Sequence, residues 1–331
     1  MSQPMKQKGY AMVAPRPGDA SVIQKVGIEL NKPEPRQVLI RHTAIGVNFI
    51  DVYFRSGLYP WPDENNLILG SEGAGVVEAV GAEVSGFSVG ERVAYTIPNG
   101  AYASHRIVNA EHLVKIPDEV SDIDAAAVML KGLTTYYLLH DSYSVSQGET
   151  ILFHAAAGGV GTLAGQWLKS KGVTAIGTAG GAKKCELAIS SGFASSIDYS
   201  SEDFVTRVKE LTNDRGVDAV FDSIGKDTIM GSLECLKNFG TLVNFGQSSG
   251  MADQFKISDL AKGSFTLCRP VLFHYTANRA WLENASELLF ARIADGTLNV
   301  NIGAQWSLSE IQSAHKALEN RATTGSTVLI P

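Results

Sequence analysis

The sequence predicts an α/β protein of two domains, one mostly β and one built on a doubly wound parallel sheet of six strands. Three observations predict it. The chain has 331 residues, and that length sets a prior of roughly two domains. Residues 1 to about 124 carry short β-like runs broken by Gly, Pro and Asn, the texture of a compact β domain. From residue 151 apolar runs begin at Ile151, Val173, Ser196, Val217, Thr241 and Phe265, with helical patterns between most of them. Strands alternating with helices in this way fold as a parallel sheet.

Taken in order, the first domain offers the strands Val38-Leu39-Ile40-Arg41-His42, Gly75-Val76-Val77-Glu78-Ala79-Val80 and Glu91-Arg92-Val93-Ala94-Tyr95. Ile123 to His140 then reads as a helix, with Asp122 or Asp124 as its N-cap. After the run at Ile151, the residues Val160, Leu163, Ala164, Trp167 and Leu168 fall on one helical face. Lys169, Lys171 and Gly172 mark the end of that helix. Ser200 is placed to cap the next long helix, with Glu202 and Asp203 in its first turn and Gly216 beyond its end. Residues 281–293 and Leu308 to Glu319 read as helices, and Ser326 to Ile330 as a closing β run. This tail is too short for a core of its own. It is expected to return to the first domain, which makes the second domain an insertion: 1–126 with 270–331 around 127–269.

Composition excludes several classes. The formal net charge is −6, so no global basic field draws nucleic acid or anionic lipid. Cys185, Cys235 and Cys268 are odd in number and far apart, which argues against a disulfide framework or a thiolate cluster and fits a reducing cytoplasm. Met1 to Tyr10 lacks the apolar run of a signal peptide. The uncharged stretch from Thr150 to Leu168 holds four glycines, His154, Gln166 and two threonines. It divides into strand, loop and helix rather than spanning a membrane.

The 33 glycines exceed the background of about 7%, and their positions say why. His154-Ala155-Ala156-Ala157-Gly158-Gly159-Val160-Gly161 follows the strand Ile151-Leu152-Phe153 and opens a helix. That context lets a glycine turn admit a pyrophosphate and present helix N–H groups to it. The spacing is A-x-x-G-x-x-G, so the first position is relaxed. The second strand ends at Thr178-Ala179-Gly180-Gly181-Ala182-Lys183-Lys184 without a carboxylate before Glu186. Small residues and two lysines suit a 2′-phosphate and favour NADPH; a solvated lysine pair is the alternative.

Asn48-Phe49-Ile50-Asp51-Val52-Tyr53-Phe54-Arg55-Ser56-Gly57-Leu58-Tyr59-Pro60 closely resembles the quinone oxidoreductases of the zeta-crystallin-like branch of the medium-chain dehydrogenase/reductases. So do Lys131-Gly132-Leu133-Thr134-Thr135, the Ala155 to Gly161 loop, Phe245-Gly246-Gln247-Ser248-Ser249-Gly250 and Asn320-Arg321-Ala322-Thr323-Thr324-Gly325. The resemblance implies a GroES-like catalytic domain formed by both chain ends, an inserted Rossmann domain, a catalytic cleft at their junction and a homodimer joined through the nucleotide-domain sheets. It also implies no metal. Where zinc members carry a cysteine and the histidine of G-H-E-x-x-G, this chain has Asn48 and Ser71, and it has no cysteine before Cys185. Glu72 is expected to be structural or hydrogen-bonding.

Carried over by position, Lys184, Tyr199 and Arg321 resemble adenosine-phosphate contacts, and Asn48, Tyr53 and Thr134 resemble contacts near the nicotinamide. Gly158, Gly159, Val160 and Gly161 match the pyrophosphate turn. Thr178, Ser223, Phe245, Ser248 and Arg269 match further cofactor contacts. Other readings stand beside these: Arg321 as a helix C-terminal cation, Tyr53 as a core aromatic, Asp51 as a cap, and His154 as a residue packed in its strand. The implied activity is zinc-independent hydride transfer from NADPH to quinones. Asn48 and Tyr53 would polarise the acceptor oxygen, and Tyr59 would line its pocket. The alternatives are an NADPH-dependent enone or alkenal double-bond reductase and, from another class, an NADPH-binding crystallin-like or RNA-binding protein. No membrane association is expected.

Overall fold

The computed structural model describes residues 8–61 and 66–331. Met1 to Gln7, part of the segment read as lacking a signal peptide, lie outside the described residues. The chain forms two compact units. The first holds Met1–Leu130, Phe273–Ala294 and Ile302–Pro331; the second holds Lys131–Leu272 and Asp295–Asn301.

The first unit begins with strands β1 (Lys8–Ala14), β2 (Gln24–Glu29) and β3 (Gln37–Val47), then helix α1 (Phe49–Ser56). Strands β4 (Leu67–Ile68), β5 (Glu72–Val80), β6 (Arg92–Thr96), β7 (His105–Asn109) and β8 (Val114–Lys115) follow. β3 is long because it serves three partners, the third being the last strand of the chain, which pairs with Ile45–Val47. It runs antiparallel to β5 along most of its length and to β7 through Gln37–Arg41, with register shifts at Leu39/Ile40 and His42/Ala44. Such bulges bend a strand and increase its twist. Ile40, Ile45, Val77, Val93 and Tyr102 are fully buried on the inner side.

Helix α2 (Asp122–Tyr137) opens as the sequence predicts, but neither Asp122 nor Asp124 is its cap. Ser121 is, because its Oγ accepts from Asp124 N at 3.0 Å and donates to the Asp124 carboxylate at 2.7 Å. The helix does not continue regularly to His140. Its end widens into a π-helical turn over Leu138–Ser142.

The second unit alternates strand and helix: β9 (Thr150–Phe153), α3 (Gly159–Ser170), β10 (Thr174–Ala179), α4 (Ala182–Ser190), β11 (Ser195–Asp198), α5 (Phe204–Thr212), β12 (Val217–Asp222), α6 (Ile229–Cys235), β13 (Leu236–Asn244) and β14 (Thr266–Cys268). All neighbouring pairs are parallel, in the order β11-β10-β9-β12-β13-β14. This is the doubly wound order, whose direction reverses between β9 and β12. Two local expectations shift. The cap of α5 is Asp203, which accepts from Thr206 N at 2.9 Å, and not Ser200. Ser200 instead bonds the Asp198 carboxylate. β13 begins at Leu236, before Thr241.

The chain closes with α7 (Leu272–Thr276), α8 (Arg279–Ala294), β15 (Ile302–Ser307), α9 (Ile311–Glu319) and β16 (Ser326–Ile330). Residues 308–310 form a separate 3-10 turn ahead of α9. β16 pairs parallel with β15 and antiparallel with β3, so the last strand completes a sheet begun near the N-terminus. Among the described residues no helix is long and apolar enough to cross a membrane.

Candidate functional site

In the second unit the predicted phosphate turn is built at the reversal point. Ala155 takes a left-handed φ of 55°, so the chain turns there although the first motif glycine is an alanine. Ala156 N donates to Thr178 O at 3.0 Å and clips the turn to β10. A Cβ on Gly161 would stand 2.4 Å from Ala155 O, a backbone contact that cannot give way. The first bond of α3 runs from Thr162 N to Gly158 O at 2.9 Å. The N–H groups of Gly159, Val160 and Gly161 therefore have no acceptor within the helix. No acidic side chain lies in that first turn. Bare backbone, orphan donors and a positive dipole end fit a dinucleotide pyrophosphate.

The adenosine side is equally open. Gly181 has a φ of 89°, and nothing lies within 4 Å of where its Cβ would be. Lys183 and Lys184 follow in the first turn of α4. Tyr199 is 43% exposed, and its hydroxyl would lie 2.8 Å from a Cβ on Gly180. One carboxylate not foreseen at this end is Asp198, which closes β11. It accepts from Gly181 N at 2.8 Å and from the Ser200 amide and hydroxyl. These bonds, the Ser200 hydroxyl first, hold its carboxyl below the usual range. Its oxygens brace the loop.

The remaining cofactor candidates, Thr134 excepted, lie at or just beyond the ends of β10, β12, β13 and β14. Ser223 O accepts from Ser248 N at 3.2 Å, and Phe245 N donates to Asp222 O at 2.8 Å. The Phe245 ring packs 5.8 Å from Phe153, and Arg269 donates to Asn244 O at 3.2 Å. Thr134 is buried on α2. Thr178 is also buried, and its hydroxyl lies 2.9 Å from His154 Nδ1. His154 packs at the strand end against the edge of Phe204.

In the first unit, Asn48 precedes α1. Its Nδ2 donates to Glu72 Oε1 at 2.8 Å, and its backbone N donates to Asp51 Oδ2 at 2.9 Å. A carboxylate only accepts, so Glu72 fixes which end of the Asn48 amide faces it. Glu72 also accepts from Leu130 N at 2.6 Å, and a Cβ on Gly46 would collide with it. The Tyr53 ring lies among Phe49 and Tyr59, with centroids 6.3 and 5.2 Å away, and Tyr59 N is bonded to Tyr53 O. Arg321 stands in the left-handed region just after α9, its N bonded to Leu318 O, and is exposed.

Asp51 is wholly buried and is more than a cap. It accepts from Ser71 Oγ at 2.7 Å and Tyr102 OH at 2.8 Å. The Tyr102 oxygen lies 3.0 Å from His315 Nε2, and His315 Nδ1 accepts from Arg55 at 2.9 Å. Arg55 then grips Glu319 through two nitrogens, at 2.6 and 2.9 Å. Because arginine only donates, His315 carries its proton on Nε2, and each bond from Arg55 through His315 and Tyr102 points toward Asp51. Burial pushes the Asp51 carboxyl up to about 6, against the bonds from Ser71, Tyr102 and Asn48. Burial, with Arg55 beside it, brings His315 down to about 3. Sequence reasoning missed Tyr102, His315, Arg55 and Glu319.

The sheet order and its glycine turn define a nucleotide-binding dehydrogenase. Family models agree: the alcohol dehydrogenase GroES-like domain matches residues 34–118 and the zinc-binding dehydrogenase matches residues 159–290. A quinone oxidoreductase of Pseudomonas aeruginosa is 48% identical over 316 residues, 95% of this chain and 97% of that one. A 2-haloacrylate reductase of Burkholderia is 42% identical, over 94% of this chain and 98% of its own. The crystal structure of Escherichia coli quinone oxidoreductase complexed with NADPH superposes with a TM-score of 0.95 at 41% identity, covering 97% of this chain and all of that one. The chain belongs to the quinone oxidoreductase branch of the medium-chain dehydrogenase/reductases.

Proposed function

We propose that this chain is an NADPH-dependent oxidoreductase that reduces quinones. The observation that carries the reading is the glycine turn at the sheet reversal, in a chain whose relatives are quinone oxidoreductases. NADPH supplies the hydride when bound. Gly158, Gly159, Val160 and Gly161 hold the pyrophosphate, Lys184 and Tyr199 the 2′-phosphate, and Thr134, Ser223, Phe245, Ser248 and Arg269 the remainder. Thr178 acts by shaping the β10 end, since its hydroxyl is engaged with His154.

The acceptor is oriented by Asn48, Tyr53 and Tyr59. Asn48 Nδ2 has two N–H bonds and gives one to Glu72. The other is directed at the acceptor oxygen, where negative charge develops. Tyr53, held between Phe49 and Tyr59, donates beside it, and Tyr59 walls the pocket. We further read the chain as a cytoplasmic homodimer. The six-stranded sheet ends on the short edge strand β14, where a second sheet can continue it.

A second reading, an enone or alkenal double-bond reductase, is favoured by the similarity to 2-haloacrylate reductase. The test is kcat/KM with NADPH for 1,4-benzoquinone, 9,10-phenanthrenequinone and 2-hexenal, with NADH in parallel. Quinone turnover at least tenfold above 2-hexenal is expected; the reverse order selects the second reading. Asn48→Ala should lower quinone kcat about 100-fold, and Tyr53→Phe should lower it by a smaller factor. Unchanged turnover in both removes their assigned roles. Lys184→Ala should raise the KM for NADPH about tenfold and leave that for NADH alone. An equal effect on both coenzymes would show that Lys184 does not read the 2′-phosphate.

A further inference from the structure

At the reversal between β9 and β12, four buried polar side chains form one directed chain. Asp222, the last residue of β12, accepts from Ile224 N at 2.8 Å, Gly225 N at 3.1 Å, Thr228 Oγ1 at 2.8 Å and Ser232 Oγ at 3.0 Å. Ser232 gives its proton to that carboxylate, so its oxygen accepts from His154 Nε2, 3.0 Å away. His154 is then the Nε2–H tautomer, and its Nδ1 accepts the Thr178 hydroxyl proton at 2.9 Å. Asp222, Ser232, His154 and Thr178 are each at most 1% exposed. Burial holds the imidazole below its ordinary pKa and keeps it neutral. With no route to solvent, His154 is not placed to exchange protons with a substrate.

What the chain touches is three loops. His154 is followed directly by Ala155, where the phosphate turn begins. Thr178 O accepts from Ala156 N at 3.0 Å, and Thr178 leads to the Gly180–Gly181 bend that opens α4. Asp222 holds the backbone of Ile224 and Gly225 and so fixes Ser223 between them. His154 N also donates to Phe221 O at 3.0 Å, across the reversal itself. A chain of this kind costs desolvation that an apolar core would avoid. It supplies fixed spacing between adjacent loops.

We propose that His154 is a positioning residue for the dinucleotide: through Thr178 and the Ser232–Asp222 pair it sets the spacing of the three loops that bind the pyrophosphate, the adenosine ribose and the nicotinamide side. This rests on the reading that NADPH binds at this sheet edge. The test measures NADPH Kd by the fluorescence of the bound coenzyme, kcat at saturating NADPH, and Tm, for wild type, His154→Phe, Ser232→Ala, Thr178→Val and Thr178→Ser. His154→Phe should weaken NADPH about tenfold, with kcat at saturation within about twofold. Ser232→Ala and Thr178→Val should each weaken it several-fold, while Thr178→Ser, which keeps the hydroxyl, should stay near wild type. A lower Tm with unchanged Kd in Ser232→Ala and Thr178→Val makes the chain merely structural and overturns the proposal. So does a fall in kcat without a change in Kd. Failure of the wild type to bind NADPH overturns the cofactor reading and this one with it.

Discussion

Replacing Arg55 with methionine is expected to lower the unfolding free energy by about 3 kcal/mol, read as a shift of the urea midpoint at constant slope. Arg55 has 2% of its side chain exposed and Glu319 has 35%. The guanidinium donates to Gly18 O, His315 Nδ1 and both Glu319 oxygens. Methionine fills much of the volume but leaves the Gly18 carbonyl and the imidazole nitrogen without a donor and Glu319 without its cation. Glu319 is partly exposed and rehydrates, so the cost falls on the two interior acceptors, Gly18 O and His315 Nδ1, left without a donor. Glu319→Gln is the informative comparison. Its partly exposed amide can rehydrate, so about 1 kcal/mol is expected. If Arg55→Met costs no more than Glu319→Gln, the buried chain is not held from the Arg55 end.

The contrast between the two polar networks shows what the chain could announce by itself. The phosphate turn is local: Ala155 to Gly161 are consecutive, and their meaning needs only the strand before and the helix after. The six-strand alternation is legible for the same reason, as is β16, a β-rich run next to the C-terminus. The Asp51 network is not local. Tyr102 meets His315 across 213 positions, and Arg55 meets Glu319 across 264. Only the pairing of β16 with β3, and the packing of α9 against α1, brings them together. Taken singly, His315 and Tyr102 look like an ordinary helix residue and a core aromatic. The missed caps are a finer case. Ser200 and Asp203 are both good N-cap residues, and Asp198 decides between them by taking Ser200 for itself. The reading of Asp51 as either cap or site residue needed the fold to show that it is a junction, capping Asn48 and ending the chain from Arg55.

Within that junction His315 and Asp51 offset each other, so the other buried histidines, His42 first, set the response to acid, and stability should fall steadily from pH 6.5 toward pH 4. Burial brings His42 and His315 down to about 3, from 6.5 in the unfolded chain. A lowered histidine binds its proton only after unfolding, so its contribution is present above pH 6.5 and is lost as pH falls toward 3. Asp51 runs the other way. Its folded value of about 6 exceeds the unfolded 3.8, so its contribution is present below 3.8 and is lost as pH rises through 6. Two protons taken up by the unfolded histidines against at most one already held by Asp51 leave a net of one. His105, His112, His140 and His154 are lowered as well and add to the same side. The unfolding free energy should therefore drop by at least about 1.4 kcal/mol per pH unit near pH 5. Urea midpoints between pH 7.5 and 4.5 give the slope directly. His315→Gln removes one of the two protons and should flatten the slope by about one proton's worth, while Asp51→Asn should steepen it. A flat or inverted profile in the wild type would mean that these imidazoles find protons in the folded state. An unchanged slope in His315→Gln would take His315, and the tautomer assigned to it, out of the account.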